Sequence, residues 1–440
     1  MKPLILIQLN EVNFDVAAEY IKSRPGLFLN ISRLMARDSI VTTSETKYEL
    51  LEPWIQWPSV YTGLSFSGHG IFRLGDAVNA RHKQIYEYLD DNNFSVGAIC
   101  PMNATNRVAN CAYFIPDPWS DTPSDGSFWS RNITSALKQV VNDNASSKVS
   151  FRSAITLAAA LCRFARLKNY FYYARLAITS WGKPWKKALL LDLFIHDFHL
   201  ACLKKWPANF SSVFFNAGAH IQHHYFFNSL INKSILQNPS WYINEIEDPV
   251  FEFLQLYDRI IGDYINRSDI EYILTTGLSQ IPFDDSKFYY RLCNHEQFIA
   301  ELGISFAKIH TRMTRDFFIT FNSEQELQKA QSILSAITAG SRQQNLFGEI
   351  EKKPNGLFVV LDYAEEITSE TEFFHNGQAT ELMSKVSFVA LKNGMHCASG
   401  FAFFSEEVSR YAPSQHSHVK DLFKCICSYF GLNAEAFSPM

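Results

Sequence analysis

Three histidines crowd one stretch, FFNAGAHIQHHY at Phe214–Tyr225: His220, His223 and His224. If the stretch is helical, His220 and His224 stand one turn apart on one face, a spacing at which two imidazoles reach a common zinc ion. His223, beside Tyr225 and Phe226, reads instead as a packed, hydrogen-bonded side chain. A carboxylate, Glu11, ends the apolar run PLILIQLNEVN, where it is a candidate general base or a cap for nearby backbone N–H groups. In EPWIQWPSVYTGLSFSGHGIFRLGD, Glu52–Asp76, a Pro, a small hydroxyl residue, a Thr-Gly turn and His-Gly-Ile fit a strand-to-helix junction. The free N–H groups of such a helix start attract anions, and His69 there either contacts substrate or holds the following loop.

The elements that must position these groups follow from hydrophobic pattern. Short continuous apolar runs at Leu4–Leu9, Val96–Ile99, Val213–Phe215, Tyr272–Leu274, Leu357–Leu361 and Val386–Leu391 predict buried strands. Between them, helical periodicity covers Phe14–Ile21, Ile31–Ala36, Gln84–Leu89, Phe251–Ile265, Glu324–Ile337 and Val419–Phe430. Alternating strands and helices predict an α/β fold with a doubly wound, mostly parallel sheet that binds ligands at the carboxyl ends of its strands. Two stretches break the alternation. Residues 124–192 predict an aromatic helical cap with a Gly-Lys-Pro break at Gly182–Pro184, and residues 282–377 a smaller inserted α/β lobe.

In this order the segments PLILIQLNEVN, EPWIQWPSVYTGLSFSGHGIFRLGD, FFNAGAHIQHHY, YDRIIGDYI, YILTTGLSQ and NGMHCASGFAFFS resemble the alkaline phosphatase superfamily, in its type I phosphodiesterase/nucleotide pyrophosphatase branch. The resemblance spans about Leu4–Phe430 apart from the two insertions. It implies an alkaline-phosphatase-like fold across residues 1–440 and, for the family, two zinc ions that clamp the attacking and leaving oxygens. Residue by residue the chain departs from that pattern. Asn10 stands for the first metal-binding Asp, Gln56 for the nucleophile, and Asn216 for the Asp of an Asp-x-x-x-His pair. Gly277, Leu278 and Ser279 replace Asp-His-Gly, while His220 and His396 match in kind and spacing. A two-metal mechanism and a covalent phospho-enzyme are therefore not expected, because one site loses its ligands and an amide is no nucleophile. What remains is at most one metal, zinc, on His220, His224 and His396. Glu11, Gln56 and His220 would be the catalytic groups, with Asn10, Asn216 and His69 binding substrate.

Over 440 residues, the 47% hydrophobic and 19% charged content marks a folded chain, and a net charge of −4 argues against nucleic acid as a partner. The eight cysteines form no CxxC pair, and no apolar run approaches the roughly 18 residues of a membrane span, which together predict a cytoplasmic protein. The net charge conceals a local imbalance. Residues 144–191 contain no Asp or Glu but nine Lys and Arg among Tyr, Phe and Trp, a pattern for a solvated cap, a hold on a polyanion, or the inner face of a membrane. The sequence thus predicts a divergent hydrolase or group transferase acting on an anionic substrate, a phosphorylated or lipid-linked glycan precursor. Its alternatives are a catalytically inactive binding protein and a membrane-surface scaffold that keep the fold.

Overall fold

The computed structural model describes residues 1–109, 111–142, 150–232, 235–311 and 315–434. The first apolar run forms strand β1 (Leu4–Leu9), buried at every position. Its five Leu and Ile side chains are fully removed from water, each worth about 1.5–3 kcal/mol on transfer. The one polar residue among them, Gln8, gives its Nε2 to the Tyr61 hydroxyl at 2.6 Å. A strand buried on both faces belongs inside a parallel sheet. β1 pairs in parallel with β5 (Phe210–Phe215) on one side and β6 (Glu271–Thr275) on the other.

The full sheet has seven strands. Beyond β5 lie β3 (Val96–Ile99) and β4 (Tyr113–Ile115), both parallel; beyond β6 lie Ser399–Phe404 and β2 (Ser39–Thr43). Ser399–Phe404 runs antiparallel to both its neighbours. The sheet is thus mostly parallel, as expected, with one strand running against the rest. At β1 the strand order parts in two directions, so the loops after β1, β5 and β6 open side by side into the crevice where such sheets take ligands.

By contact the chain divides into two compact units. The first comprises the described residues of Met1–Val141, Lys148–Pro282 and Gly394–Met440, and the second those of Phe283–Asn393. In the second unit two four-stranded antiparallel sheets accompany helices His295–Glu301 and Glu324–Ala336. The run Leu357–Leu361 pairs within it, with Phe347–Lys353 and Asp316–Thr320, and so is not a strand of the main sheet. The aromatic insertion forms helices Phe128–Asn142, Phe151–Phe164 and Tyr170–Thr179, then Pro184–Lys205. That last helix starts on a proline, whose missing N–H costs nothing in the first turn, and continues past residue 192 to Lys205.

Candidate metal centre

Strand β1 ends at Leu9, and the chain turns through Asn10 and Glu11, the latter with φ of +59°, a left-handed conformation that a side chain tolerates at a cost of about 1 kcal/mol. The turn aims the Glu11 carboxylate inward, where it is 2% exposed. From the next strand, β5, helix Ala217–Tyr225 brings His223, and strand Val386–Cys397, one of a two-stranded ribbon, brings His396. Glu11 Oε2 lies 2.9 Å from His223 Nε2 and 3.1 Å from His396 Nε2, and the two nitrogens are 3.3 Å apart. Three donor atoms from three separated segments therefore converge. Separations of 2.9–3.3 Å suit three donors that would share one zinc ion at about 2.0–2.1 Å from each. Two imidazoles and one carboxylate are a recurrent donor set of catalytic zinc, and among the described residues this is the group of His, Cys, Asp and Glu close enough to hold an ion.

Its surroundings fix the carboxylate. Asn10 Nδ2 donates to Glu11 Oε1 at 2.9 Å, Gln280 Nε2 donates to Oε2, and Gln280 Nε2 also reaches the Ala219 carbonyl at 3.1 Å. Gln222 Nε2 donates to the Glu11 carbonyl while its Oε1 accepts from the Asn13 N–H. Glu52 Oε2 lies 3.6 Å from His396 Nδ1, behind the imidazole. Such outer partners orient ligands and tune their basicity. Burial alone would raise the Glu11 pKa, but His223 and His396 outweigh it and hold the carboxyl well below the usual range. Glu11 is therefore held as a carboxylate anion, the form in which it can serve as a ligand.

Glycine permits the ribbon to come this close. A Cβ on Gly394 would lie 2.3 Å from Gln280 Oε1 and 2.6 Å from the Gln222 carbonyl. Only a hydrogen fits between the ribbon and the two glutamines that frame Glu11.

The structure replaces the metal set expected from sequence. His396 belongs to the cluster, but its imidazole partner is His223, not His220 or His224. His220 and His224 face each other with ring centroids 4.9 Å apart, and burial, with a smaller push from His223, brings the His220 pKa down to about 4. At helical spacing His223 is a quarter-turn from the His220–His224 face, and that quarter-turn points it at Glu11. Asn10 is spent internally: Nδ2 on Glu11 and on Asn216 Oδ1 at 2.9 Å, and Oδ1 accepting from Trp57 Nε1 at 2.8 Å. It positions Glu11 instead of binding substrate. Asn216 meets Asn10 at the end of β5, beside the cluster. Gln56 is fully buried within helix Pro53–Thr62; its Nε2 donates to the Leu50 carbonyl at 2.9 Å, and its buried Oε1 has no hydrogen-bond partner among the described residues.

His69 is likewise committed on both ring nitrogens. Nδ1 accepts from the Ile71 N–H at 3.0 Å, which places the proton on Nε2, and Nε2 then donates to Ser59 Oγ at 3.1 Å. It holds the loop onto the helix and does not face a ligand. The start of helix Ala217–Tyr225, which could have taken an anion, is filled by the protein: Asp192 accepts from Ala217 N–H at 2.8 Å and from the Tyr257 hydroxyl at 2.7 Å. Sequence reasoning missed His223 as a candidate donor, as well as Glu52 and Gln280. Their roles depend on contacts across more than 40 residues and leave no local pattern.

No family model and no curated protein matches the sequence. Among solved structures the chain is similar to phosphonoacetate hydrolase from Sinorhizobium meliloti 1021 in complex with phosphonoformate, at 12% identity over 97% of this chain and 96% of that one, with a TM-score of 0.43. It is also similar to murine ectonucleotide pyrophosphatase/phosphodiesterase 5, at 10% identity over 99% and 96%, TM-score 0.39. A third is the alkaline phosphatase from the Antarctic bacterium TAB5, at 10% identity over 98% of each chain, TM-score 0.39. With TM-scores below one half, these likenesses carry no argument about the chemistry of this chain, which rests on its own geometry.

Proposed function

We propose that the protein is a hydrolase or group transferase for a phosphorylated or lipid-linked glycan precursor, built around a single divalent cation, zinc by its donor set. The observation that carries this reading is the convergence of Glu11 Oε2, His223 Nε2 and His396 Nε2 within 3.3 Å at the ligand-binding end of a parallel sheet. When bound, the cation supplies Lewis-acid polarisation of a phosphoryl oxygen. Glu11 balances part of the positive charge, and Asn10 and Gln280 hold its two oxygens in place. Glu52 stands behind His396 to draw on Nδ1, keeping Nε2 toward the centre. The His223 side chain is 32% exposed, so a substrate reaches the centre past that ring. The ordered motifs support the phosphorylated substrate, and the absence of a nucleophile at Gln56 supports direct attack by water or an acceptor hydroxyl over a covalent intermediate.

Hydrolysis of bis(4-nitrophenyl) phosphate and 4-nitrophenyl phosphate tests the reading. Chelation should abolish turnover, zinc should restore it, and Glu11→Gln should remove it. Undiminished turnover after chelation, or in Glu11→Gln, sinks the proposal. The spent amide of Asn10 and the lack of a nucleophile at Gln56 favour a second reading, a binding protein that keeps the cation site. It predicts zinc affinity without turnover on any phosphoester.

A further inference from the structure

Helix Tyr170–Thr179 packs one side on helix Pro184–Lys205, burying Tyr173 and Leu176, and turns the other to solvent. The outward side carries large apolar side chains as well as Arg175. Phe171 is 82% exposed, Ile178 80% and Trp181, just past the helix, 93%. A spacing of seven residues, close to two whole helical turns, puts Phe171 and Ile178 on one face, and Trp181 follows just beyond the helix end. Ile155 is also exposed, on helix Phe151–Phe164, which packs on the same long helix. Side chains of this size are rarely left in water together without a partner surface.

The charges say what that partner is. Between residues 150 and 191 there is no Asp or Glu. Some basic groups there are used internally: Arg166 and Lys168 on Asp263, Lys183 on Glu247, and Lys186 on Glu252. Arg163, Arg175 and Lys187 are exposed and make no ion pair among the described residues. The same segment thus carries exposed cations together with exposed aromatic and aliphatic side chains, a combination complementary to anionic headgroups with acyl chains beneath them. No described helix is long and apolar enough to cross a membrane, so the contact is with the surface. We infer that this face docks the protein onto an anionic lipid bilayer, with Phe171, Ile178 and Trp181 entering the headgroup layer and Arg163, Arg175 and Lys187 on the phosphates. The long helix beneath the face also packs on Ala217–Tyr225, where Trp185 meets Tyr225 at 5.1 Å between ring centroids. The docked face and the helix bearing His223 are therefore joined through one packed layer.

Co-sedimentation with vesicles of phosphatidylcholine alone, or containing phosphatidylserine, tests this at low and high salt. The protein should pellet with the phosphatidylserine vesicles at low salt and largely release at high salt. At roughly fivefold per basic residue, the variant Arg163→Gln/Arg175→Gln/Lys187→Gln should lose about 100-fold in partitioning. Phe171→Ser/Ile178→Ser/Trp181→Ser should lose at least about tenfold, including what survives at high salt. Both variants should bind zinc as the unaltered protein does, so a failure here is separable from a failure of the metal reading. The inference is overturned if the unaltered protein stays in the supernatant with phosphatidylserine at low salt, or if both variants partition like it. It is also overturned if the protein is a dimer that the apolar variant splits, because the face would then serve a second copy of the chain.

Discussion

His223→Ala and His224→Ala, made as a pair, separate the cluster seen in the structure from the one expected at helical spacing. Removing His223 leaves Glu11 Oε2 and His396 Nε2, 3.1 Å apart, as the only two ligands. Loss of an outer partner alone costs about 10–100-fold in metal affinity, so loss of a ligand should cost at least about 100-fold. His224 is adjacent in sequence but outside the cluster, and its removal should cost less than about tenfold. Competition against a chromophoric chelator reads the affinities directly, and thermal unfolding reads them a second way. With zinc at 100 times the unaltered protein's Kd, binding adds about 2.7 kcal/mol to stability. A variant with 100-fold weaker binding would retain only about 0.4 kcal/mol at the same concentration. Zinc should therefore raise the melting temperature of the His224→Ala protein and leave that of His223→Ala nearly unmoved. Equal losses in the two variants, or a larger loss in His224→Ala, would refute the assignment.

Two further outcomes follow from the same geometry. Gly394→Ala should push Gln280 off the Glu11 carboxylate, because the new methyl would lie 2.3 Å from Gln280 Oε1, and weaken zinc about 10–100-fold by titration while circular dichroism stays unchanged. His69→Phe strands the Ile71 N–H and should cost about 1–3 kcal/mol in urea unfolding with zinc affinity kept. Burial, with lesser pushes from His82 and His418, holds the His69 pKa at about 4, below its ordinary 6.5. The unfolded chain therefore binds the proton more tightly. Stability from this group is complete above about pH 6.5 and falls as pH drops toward 4, a slope that should flatten in His69→Phe.

Much of the sheet was legible because buried parallel strands write themselves as unbroken apolar runs. Leu4–Leu9, Val96–Ile99 and the core of β5 and β6 fall where those runs are. Strand Ser399–Phe404 was not assigned, because its sequence, SGFAFF, becomes a strand only through antiparallel partners more than 100 and 300 residues away. Leu357–Leu361 was legible as a strand but not as belonging to another sheet, since an apolar run does not name its neighbours.

For the site, the residue types and the strand end were local information: a carboxylate after β1, imidazoles after β5, and a histidine late in the chain. The choice of His223 over His224 was not. It depends on the rotation of helix Ala217–Tyr225 about its axis, which is set by packing on Pro184–Lys205 and Pro249–Ile265 and by the Asp192 cap. Asn10, Gln56 and His69 show the same limit from the other side. Their polar groups invited functional readings, and the tertiary structure turns them to Glu11, Leu50, Ser59 and Ile71, with Gln56 Oε1 left buried and without a partner among the described residues. Sequence by itself determined the fold class, the acid-free basic stretch and the supply of donors, because composition and periodicity are properties of short segments. Only the tertiary structure decided which donors meet and which cations stay unpaired, because both depend on what long-range packing brings within about 3–4 Å.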